Sequence, residues 1–191
     1  MSHYKENFTD RIKDGNKAEV VAEEFYCSNK YLRYKRENIY MLKAGINKNS
    51  DFSDVSGKIV PYEFNHRIPR VLRNIPDYVV LTDKGNYFLE VKGCKDVLKL
   101  KKNDVDSYGY WNKIMGVGFF ILGFFSKEFC KKNNITDSTP QIYRFKYKEL
   151  MRVIKEGGYS NYEYDDNNEK CYEFELADLT LFGESGIDLR S

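Results

Sequence analysis

The sequence predicts an α/β fold in which helices flank a mixed central β-sheet. Two apolar runs, residues 75–81 and 87–93, are separated by a short polar turn and therefore predict a β-hairpin. Residues 104–115 show helical periodicity and lead into the continuous apolar run 116–125. A hairpin that is followed by a helix and a buried strand predicts a crossover connection in that sheet.

Length and composition indicate one domain with a sizeable core. The chain has 191 residues and a mass of 22.6 kDa, which suits a single folded unit. We expect the core to span about residues 10–150 and a C-terminal hairpin extension to span about 151–191. Aromatic residues make up 16% of the sequence, which argues against a disordered chain.

The sequence also argues against several classes of protein. It has no run of about 18 apolar residues, so we expect no membrane span. No hydrophobic segment follows the first residues, which argues against a signal peptide. The four cysteines form no Cys-x-x-Cys pair, so we expect neither a zinc ribbon nor a disulfide framework, and the reducing cytoplasm fits best.

Residues 10–27 predict a first helix with a buried stripe. The residues of this stripe recur at helical spacing and are Ala18, Val21, Ala22 and Phe25. Glu19 lies just beside the stripe and can turn toward the sheet. We expect Glu23 and Glu24 to be solvated.

The predicted hairpin places three charged side chains on one face. We expect the turn at residues 83–86, with a loop of two or four residues, and either length pairs Asp77 with Lys92. Alternation along the strands then puts Glu90 on the same face, diagonal to Asp77 and about 7 Å from it at Cβ. Both faces of the hairpin are otherwise apolar, which is typical of central strands.

Two carboxylates and a lysine in this arrangement can support metal-dependent hydrolysis. Mg²⁺ prefers oxygen ligands and keeps several waters, so one or two carboxylates and a substrate phosphate suffice. The cation acidifies a water and neutralises charge on the phosphate, and Lys92 can steer that water or stabilise charge on phosphorus. The alternative is that Glu90 and Lys92 face solvent on an amphipathic strand while Asp77 belongs to a turn.

The motif resembles the signature of the PD-(D/E)XK nuclease superfamily. A Pro-Asp at residues 76–77 is followed by twelve residues and then by Glu-Val-Lys at residues 90–92, framed by a hairpin of suitable length. Many members of this superfamily add a glutamate on an upstream helix. Glu19, in the segment Gly-Asn-Lys-Ala-Glu at residues 15–19, is similar to that pattern. The resemblance covers about residues 12–125.

The resemblance implies a restriction endonuclease-like core and a metal-dependent endonuclease that hydrolyses phosphodiester bonds in DNA. It implies Mg²⁺ or Mn²⁺ bound by Asp77, Glu90 and the backbone carbonyl of Val91. Lys92 would then orient or activate the water, and Glu19 would support the metal shell. A ribonuclease, a junction-specific resolvase acting as a two-fold dimer, and a catalytically silent nucleic-acid-binding module remain alternatives.

Two further expectations come from the resemblance alone. A polar side chain in the helix after the hairpin frequently faces the active site in this superfamily. Asp106 and Tyr110 are the candidates here, and the alternative, which we favour, is that they cap the helix or pack against it. An intracellular role in phage or bacterial DNA metabolism or defence also follows only from the family.

Charge is distributed unevenly along the chain. The net charge is only +2, which argues against a strongly cationic, non-specific nucleic-acid binder. Basic residues nevertheless bracket the predicted site, although charge runs of this kind also occur as solvated faces. The residues that we expect to contact the phosphate backbone are Arg70, Arg73, Lys95 and Lys99.

The remaining segments predict structure and function less specifically. Residues 31–40 are basic and aromatic, and residues 43–57, rich in Asn, Ser and Asp, predict a loop. Residues 58–65 predict either a strand, which Pro61 would place at a sheet edge, or an insertion, and insertions near such a site often handle substrate. The C-terminal part predicts a strand, a helix and a hairpin around 165–168. Its alternating aromatic residues suit half-buried strands, and the alternative is a stacking platform for bases.

Overall fold

The computed structural model of the protein describes residues 8–27, 38–44, 69–136, 139–164 and 169–182. It confirms an α/β fold with a mixed five-stranded sheet, and it adds a second, three-stranded sheet. The predicted edge strand or insertion at 58–65 and most of the predicted loop at 43–57 lie outside the described residues, as does nearly all of the basic and aromatic segment at 31–40.

The described helices and strands have the following bounds. The helices are α1 (Phe8–Cys27), α2 (Arg70–Arg73), α3 (Lys102–Ile114), α4 (Lys127–Lys132) and α5 (Tyr147–Lys155), with a 3₁₀-helix at Leu176–Phe182. The strands are β1 (Ile39–Lys43), β2 (Tyr78–Thr82), β3 (Gly85–Lys95), β4 (Val97–Lys101), β5 (Val117–Phe124), β6 (Gln141–Lys146), β7 (Ser160–Tyr164) and β8 (Glu169–Glu175).

The five-stranded sheet has the order β1-β2-β3-β5-β6. Its neighbouring strands run antiparallel except β3 and β5, which are parallel. Parallel strands need a crossover connection, and here β4 and α3 make it. The predicted crossover from the hairpin through a helix to a buried strand is therefore confirmed.

The two faces of this sheet bury separate cores. On one face lies α1, whose predicted stripe is confirmed because Ala18, Ala22 and Phe25 are buried against β2, β3 and β5. The other face is covered by α3, α5 and the smaller sheet, with Phe119 and Leu150 among its fully buried side chains. Alternation along β3 puts Leu89 and Val91 on the α1 face and Phe88 on the α3 face.

The register of the β2–β3 hairpin differs from the prediction by two residues. The turn contains only Asp83 and Lys84, and Thr82 pairs with Gly85. Gly85 has a φ of 141°, a conformation that favours glycine. Continuing this register one residue beyond β2 places Asp77 opposite Glu90 rather than opposite Lys92, so the predicted pairing was wrong. A shift of two residues leaves every side chain on its predicted face.

The second sheet has the order β4-β8-β7. Its β7–β8 hairpin confirms the one predicted near the C-terminus, whereas β4 was not predicted as a strand. The chain passes from β3 into β4 through Asp96, whose φ of 62° is left-handed. The Asp96 carboxylate accepts a hydrogen bond from the Ser126 N–H at 2.7 Å, which holds this bend. Because β4 pairs with β8, the C-terminal hairpin shares a sheet with a strand of the core.

Within the described residues, no helix combines the length and the apolar character that crossing a membrane requires.

α1 approaches the sheet closely at Gly93 of β3. A Cβ atom at this position would lie 2.0 Å from the Asp14 carbonyl oxygen, which belongs to the helix backbone. We expect Gly93→Ala to lower the free energy of unfolding by about 1–3 kcal/mol or more, because backbone atoms cannot rotate out of the way. Urea denaturation followed by circular dichroism measures this change.

Gly15→Ala is the matched control for that variant. Gly15 lies in α1 next to the contact, yet a Cβ there meets nothing within 4 Å. Alanine in a helix is more favourable than glycine, so this variant should gain up to about 1 kcal/mol. Equal stabilities of the two variants would contradict the close packing of α1 on Gly93.

Candidate active site

The site lies where β2 begins, beside the middle of β3. Asp77 directly precedes β2, and its Oδ2 accepts a hydrogen bond from the Val91 N–H at 2.8 Å. Along a strand the N–H and C=O of one residue point to the same side. The Val91 carbonyl therefore points to the same edge of β3 as its amide, which is the edge where Asp77 lies.

The segment that leads into Asp77 is attached to α3. The Trp111 Nε1–H donates to the carbonyl of Val71 at 3.0 Å, and the Asn74 Nδ2–H donates to Asp104 Oδ1 at 2.7 Å. Pro76, which fixes its own φ, is buried between this segment and β2. Asp77 therefore lies between a segment that is attached to α3 and a strand that is paired in the sheet, and both limit where its carboxylate can lie.

Glu90 is the buried acid of the site, with only 3% of its surface exposed. Its Oε1 accepts a hydrogen bond from the Tyr108 hydroxyl at 2.5 Å. The same oxygen forms an ion pair with the Lys92 Nζ. A carboxylate in this environment keeps its charge only because these two partners replace part of its lost hydration.

The pKa of Glu90 is raised to about 7. Burial is the largest cause, and the negative charge of Asp77 adds to it; Lys92 and Tyr108 act in the opposite direction. Glu90 therefore exchanges a proton near neutral pH in the metal-free protein. Strongly perturbed carboxyl groups of this kind are concentrated at functional sites.

Lys92 lies at the boundary between the protein interior and solvent. Burial alone would lower the pKa of its ammonium group, but the charges of Glu90 and Asp77 outweigh burial and raise it. About a third of the side chain is exposed, at 35%. Lys92 is therefore a fixed positive charge that solvent and a substrate can reach.

Tyr108 is the site residue that the sequence analysis missed. It lies on α3, is buried, and has a pKa well above its ordinary value, chiefly because of its burial and the charge of Glu90. The two candidates named for this helix have different surroundings from Tyr108, since Asp106 is exposed and Tyr110 is 52% exposed. Both lie on the solvent side of α3, whereas Tyr108 lies on the apolar side together with Val105.

Glu19 lies on the opposite side of the sheet from Glu90 and Lys92. It is half-buried on α1, and its charge contributes to the raised pKa of Tyr78. The neighbouring Glu23, which we expected to be solvated, instead accepts a hydrogen bond from the Tyr78 hydroxyl at 2.8 Å. Glu23 also pairs with Lys43 at 3.1 Å, so it attaches α1 to β1 and β2.

The four residues predicted to contact the phosphate backbone lie in three different elements. Arg70 and Arg73 are the first and last residues of α2, and their side chains are not among those that the structure describes. Lys95 is half-buried at the end of β3. Lys99 is on β4, where its Nζ lies 3.5 Å from Glu173 Oε2 and 3.6 Å from the centre of the Tyr162 ring. These contacts make Lys99 part of the smaller sheet.

The described donors suit a cation that keeps much of its own water. Within the described ranges, no group of three or more acidic, histidine or cysteine side chains is arranged to hold a metal ion. Asp77 and Glu90 provide two carboxylates, and the Val91 carbonyl provides a third oxygen. Two carboxylates with water and substrate oxygens are an ordinary donor set for Mg²⁺.

Comparison of the chain with family models, curated proteins and solved structures gives no match in any of the three.

We expect two variants to move the pKa of Glu90 in opposite directions in the metal-free protein. Tyr108→Phe removes a hydrogen bond that favours the carboxylate, so the pKa should rise above about 7. Asp77→Asn removes a neighbouring negative charge, so the pKa should fall. Carbon-13 NMR of labelled glutamate side chains measures both shifts, and Glu128→Gln on the exposed surface of α4 is the control. A Glu90 pKa that neither variant changes would contradict the described contacts.

Proposed function

We propose that this protein is a divalent-metal-dependent endonuclease that hydrolyses phosphodiester bonds in DNA, with a restriction endonuclease-like core. The observation that carries this proposal is the convergence of Asp77, Glu90 and Lys92 on one face of the sheet. The α/β fold and the crossover from β3 to β5 support the assignment to the PD-(D/E)XK superfamily. So does the opposition of Asp77 and Glu90 across the β2–β3 hairpin.

Asp77, Glu90 and the Val91 carbonyl would hold the cation. A bound Mg²⁺ or Mn²⁺ supplies an acidified water and neutralises charge on the scissile phosphate. Asp77 keeps its orientation through the Val91 N–H, and Glu90 keeps its orientation through the Tyr108 hydroxyl. These two hydrogen bonds pre-organise the carboxylates, so little rearrangement is needed when the cation binds.

Lys92 would act on the phosphate and the attacking water. Its ammonium group is charged at neutral pH, because the carboxylates beside it raise its pKa. A fixed positive charge at a partly dry site stabilises the negative charge that develops on the phosphate in the transition state. The contact of Lys92 with Glu90 also places it beside the carboxylate that would hold the metal.

Other substrates would use the same chemistry. A ribonuclease and a junction-specific resolvase would differ in how they bind nucleic acid rather than in the hydrolytic residues. A resolvase should be a two-fold dimer, so the mass in solution distinguishes it from a monomeric endonuclease. A catalytically silent module would bind nucleic acid without cleaving it, and the intact set of two carboxylates and a lysine argues against this alternative.

One experiment separates these functions. The purified protein is incubated with linear, circular, single-stranded and branched DNA and with RNA, in the presence of Mg²⁺, Mn²⁺ or EDTA. Cleavage of circular DNA identifies an endonuclease, and preference for branched DNA identifies a resolvase. Cleavage that persists in EDTA, or binding without cleavage in both metals, would contradict the proposal.

We expect Asp77→Asn and Glu90→Gln to reduce the cleavage rate by about a hundredfold or more, because each removes a charged ligand of the cation. Both substitutions preserve side-chain size, so circular dichroism should show an unchanged fold. Glu128→Gln removes an exposed carboxylate on α4 and should cleave at the wild-type rate. Full activity in either site variant would overturn the assignment.

Lys92→Ala should lose most of the turnover while Mg²⁺ binding persists, since both carboxylates remain. Loss of a group that stabilises transition-state charge typically costs about a hundredfold in rate. Lys92→Arg should be poor as well, because a planar guanidinium does not replace a compact ammonium in a confined position. Calorimetric titration with Mg²⁺ separates binding from catalysis, and normal cleavage by Lys92→Ala would remove Lys92 from the mechanism.

A further inference from the structure

A groove of about 800 Å³ lies at the end of the five-stranded sheet where β2 turns into β3. It extends across the beginning of β5 and the end of β6 to the first turn of α5. Asp77 lies at the other end of β2, and Tyr87 in the groove is three residues from Glu90, about 10 Å along β3. Strand alternation points Tyr87, Arg144 and Lys146 to the α1 face, opposite Glu90 and Lys92.

Positive charge predominates in this groove. Among the described residues that line it, four carry cationic side chains and one, Glu149, carries an acidic side chain. Glu149 already accepts a hydrogen bond from the Lys146 N–H at 2.5 Å, and its other oxygen lies 3.8 Å from the Lys148 Nζ. The cationic side chains are Lys84, Arg144, Lys146 and Lys148, and the three lysines among them are exposed.

The groove also contains an aromatic ring, that of Tyr87, and glycine residues. Tyr87 is half-buried, and its ring lies beside Gly118 of β5. Gly116 and Gly118 line the groove, and a Cβ atom at Gly116 would meet nothing within 4 Å. The groove therefore combines an aromatic ring and cationic side chains with open space at Gly116, which suits a flat ligand that carries negative charge.

We propose that this groove is a second nucleic-acid-binding site, which holds single-stranded DNA with phosphates on Lys84, Arg144 and Lys146 and a base on Tyr87. Cationic side chains that follow the backbone, combined with an aromatic ring on which a base stacks, are the usual elements of single-strand binding. The volume of about 800 Å³ lies within the range of pockets that enclose small organic ligands. The groove contains neither Asp77 nor Glu90, so it binds without hydrolysing.

The proposal is tested with the full chain carrying Asp77→Asn, so that bound DNA is not cleaved. Fluorescence anisotropy measures the affinity for labelled oligothymidylate over a range of salt concentrations. The double variant Lys84→Ala, Lys146→Ala should bind about tenfold more weakly, with a salt slope shallower by about 1.4, because each single-strand phosphate contact contributes about 0.7. Tyr87→Leu keeps apolar bulk but removes stacking, and should weaken binding about tenfold without changing the slope.

The matched control is Lys127→Ala, Lys131→Ala, which removes the same charge from exposed positions on α4, away from the groove. It should retain the parent affinity and slope. Equal losses in the control and groove variants would overturn the proposal, as would an unchanged affinity in the groove variants. Competition by a poly-aspartate peptide as strong as that by the oligonucleotide would also overturn it, because the site would then be a general anion site.

A small chromogenic phosphodiester separates this proposal from the proposed nuclease. Such a substrate is small enough to occupy only the Asp77–Glu90 site. Groove variants that keep Asp77 should therefore hydrolyse it at the rate of the protein without groove substitutions. If no nucleic acid or small diester is cleaved but the groove variants still bind oligothymidylate more weakly, the nuclease proposal is wrong and the groove proposal is supported. If cleavage depends on Asp77 while the groove variants bind oligothymidylate normally, the nuclease proposal is supported and the groove proposal is wrong.

Discussion

The pairing of β3 along both of its edges is the constraint on which the site depends. β3 bonds to β2 on one edge and to β5 on the other, so its register is fixed twice. Its contact with α1 at Gly93 allows no side chain between helix and strand. A strand held in this way cannot turn Glu90 or Lys92 away from the α3 face, because the side-chain alternation is fixed with the register.

This arrangement buries the Glu90 carboxylate, which costs free energy because the charged group loses its hydration. Glu90 loses its hydration, and the charges and hydrogen bonds around it restore only part of that loss. Because the pKa of Glu90 is raised in the folded state, its protonated form stabilises the metal-free protein at low pH. This contribution is complete below its ordinary pKa and is lost as the pH rises through about 7. A cation bound beside Asp77 and Glu90 would stabilise the ionised form instead.

The sequence predicted the faces of the site better than its distances. Period-two alternation placed Asp77, Glu90 and Lys92 together, and that result survives any register shift of two residues. The register itself was wrong because a loop of two residues at 83–84 and one at 84–85 cannot be distinguished by hydrophobic pattern. In the structure the turn at Asp83 and Lys84 is accompanied by the positive φ of Gly85 and by hydrogen bonds of the Thr82 hydroxyl to Lys84 and Gly85, none of which is visible in a sequence.

Two other features escaped prediction for related reasons. Lysine alternates with apolar residues in β4, and this pattern was interpreted as a basic segment because the acidic strand that pairs with it, β8, lies some seventy residues later. Tyr108 lies on the apolar side of α3, but helical periodicity does not reveal where a phenolic hydroxyl points. Its bond to Glu90 is a tertiary contact between α3 and β3. Local patterns predict elements, and contacts between elements require the fold.

The position of the site along the chain has a kinetic consequence. Asp77 and Val91 are separated by 14 residues, and Glu90 and Tyr108 by 18. Loop-closure entropy costs less for short segments than for long ones, and contacts that are close in sequence form faster than distant ones. Asp77, Glu90 and Tyr108 can therefore come together before β6 and the C-terminal hairpin have joined the sheets.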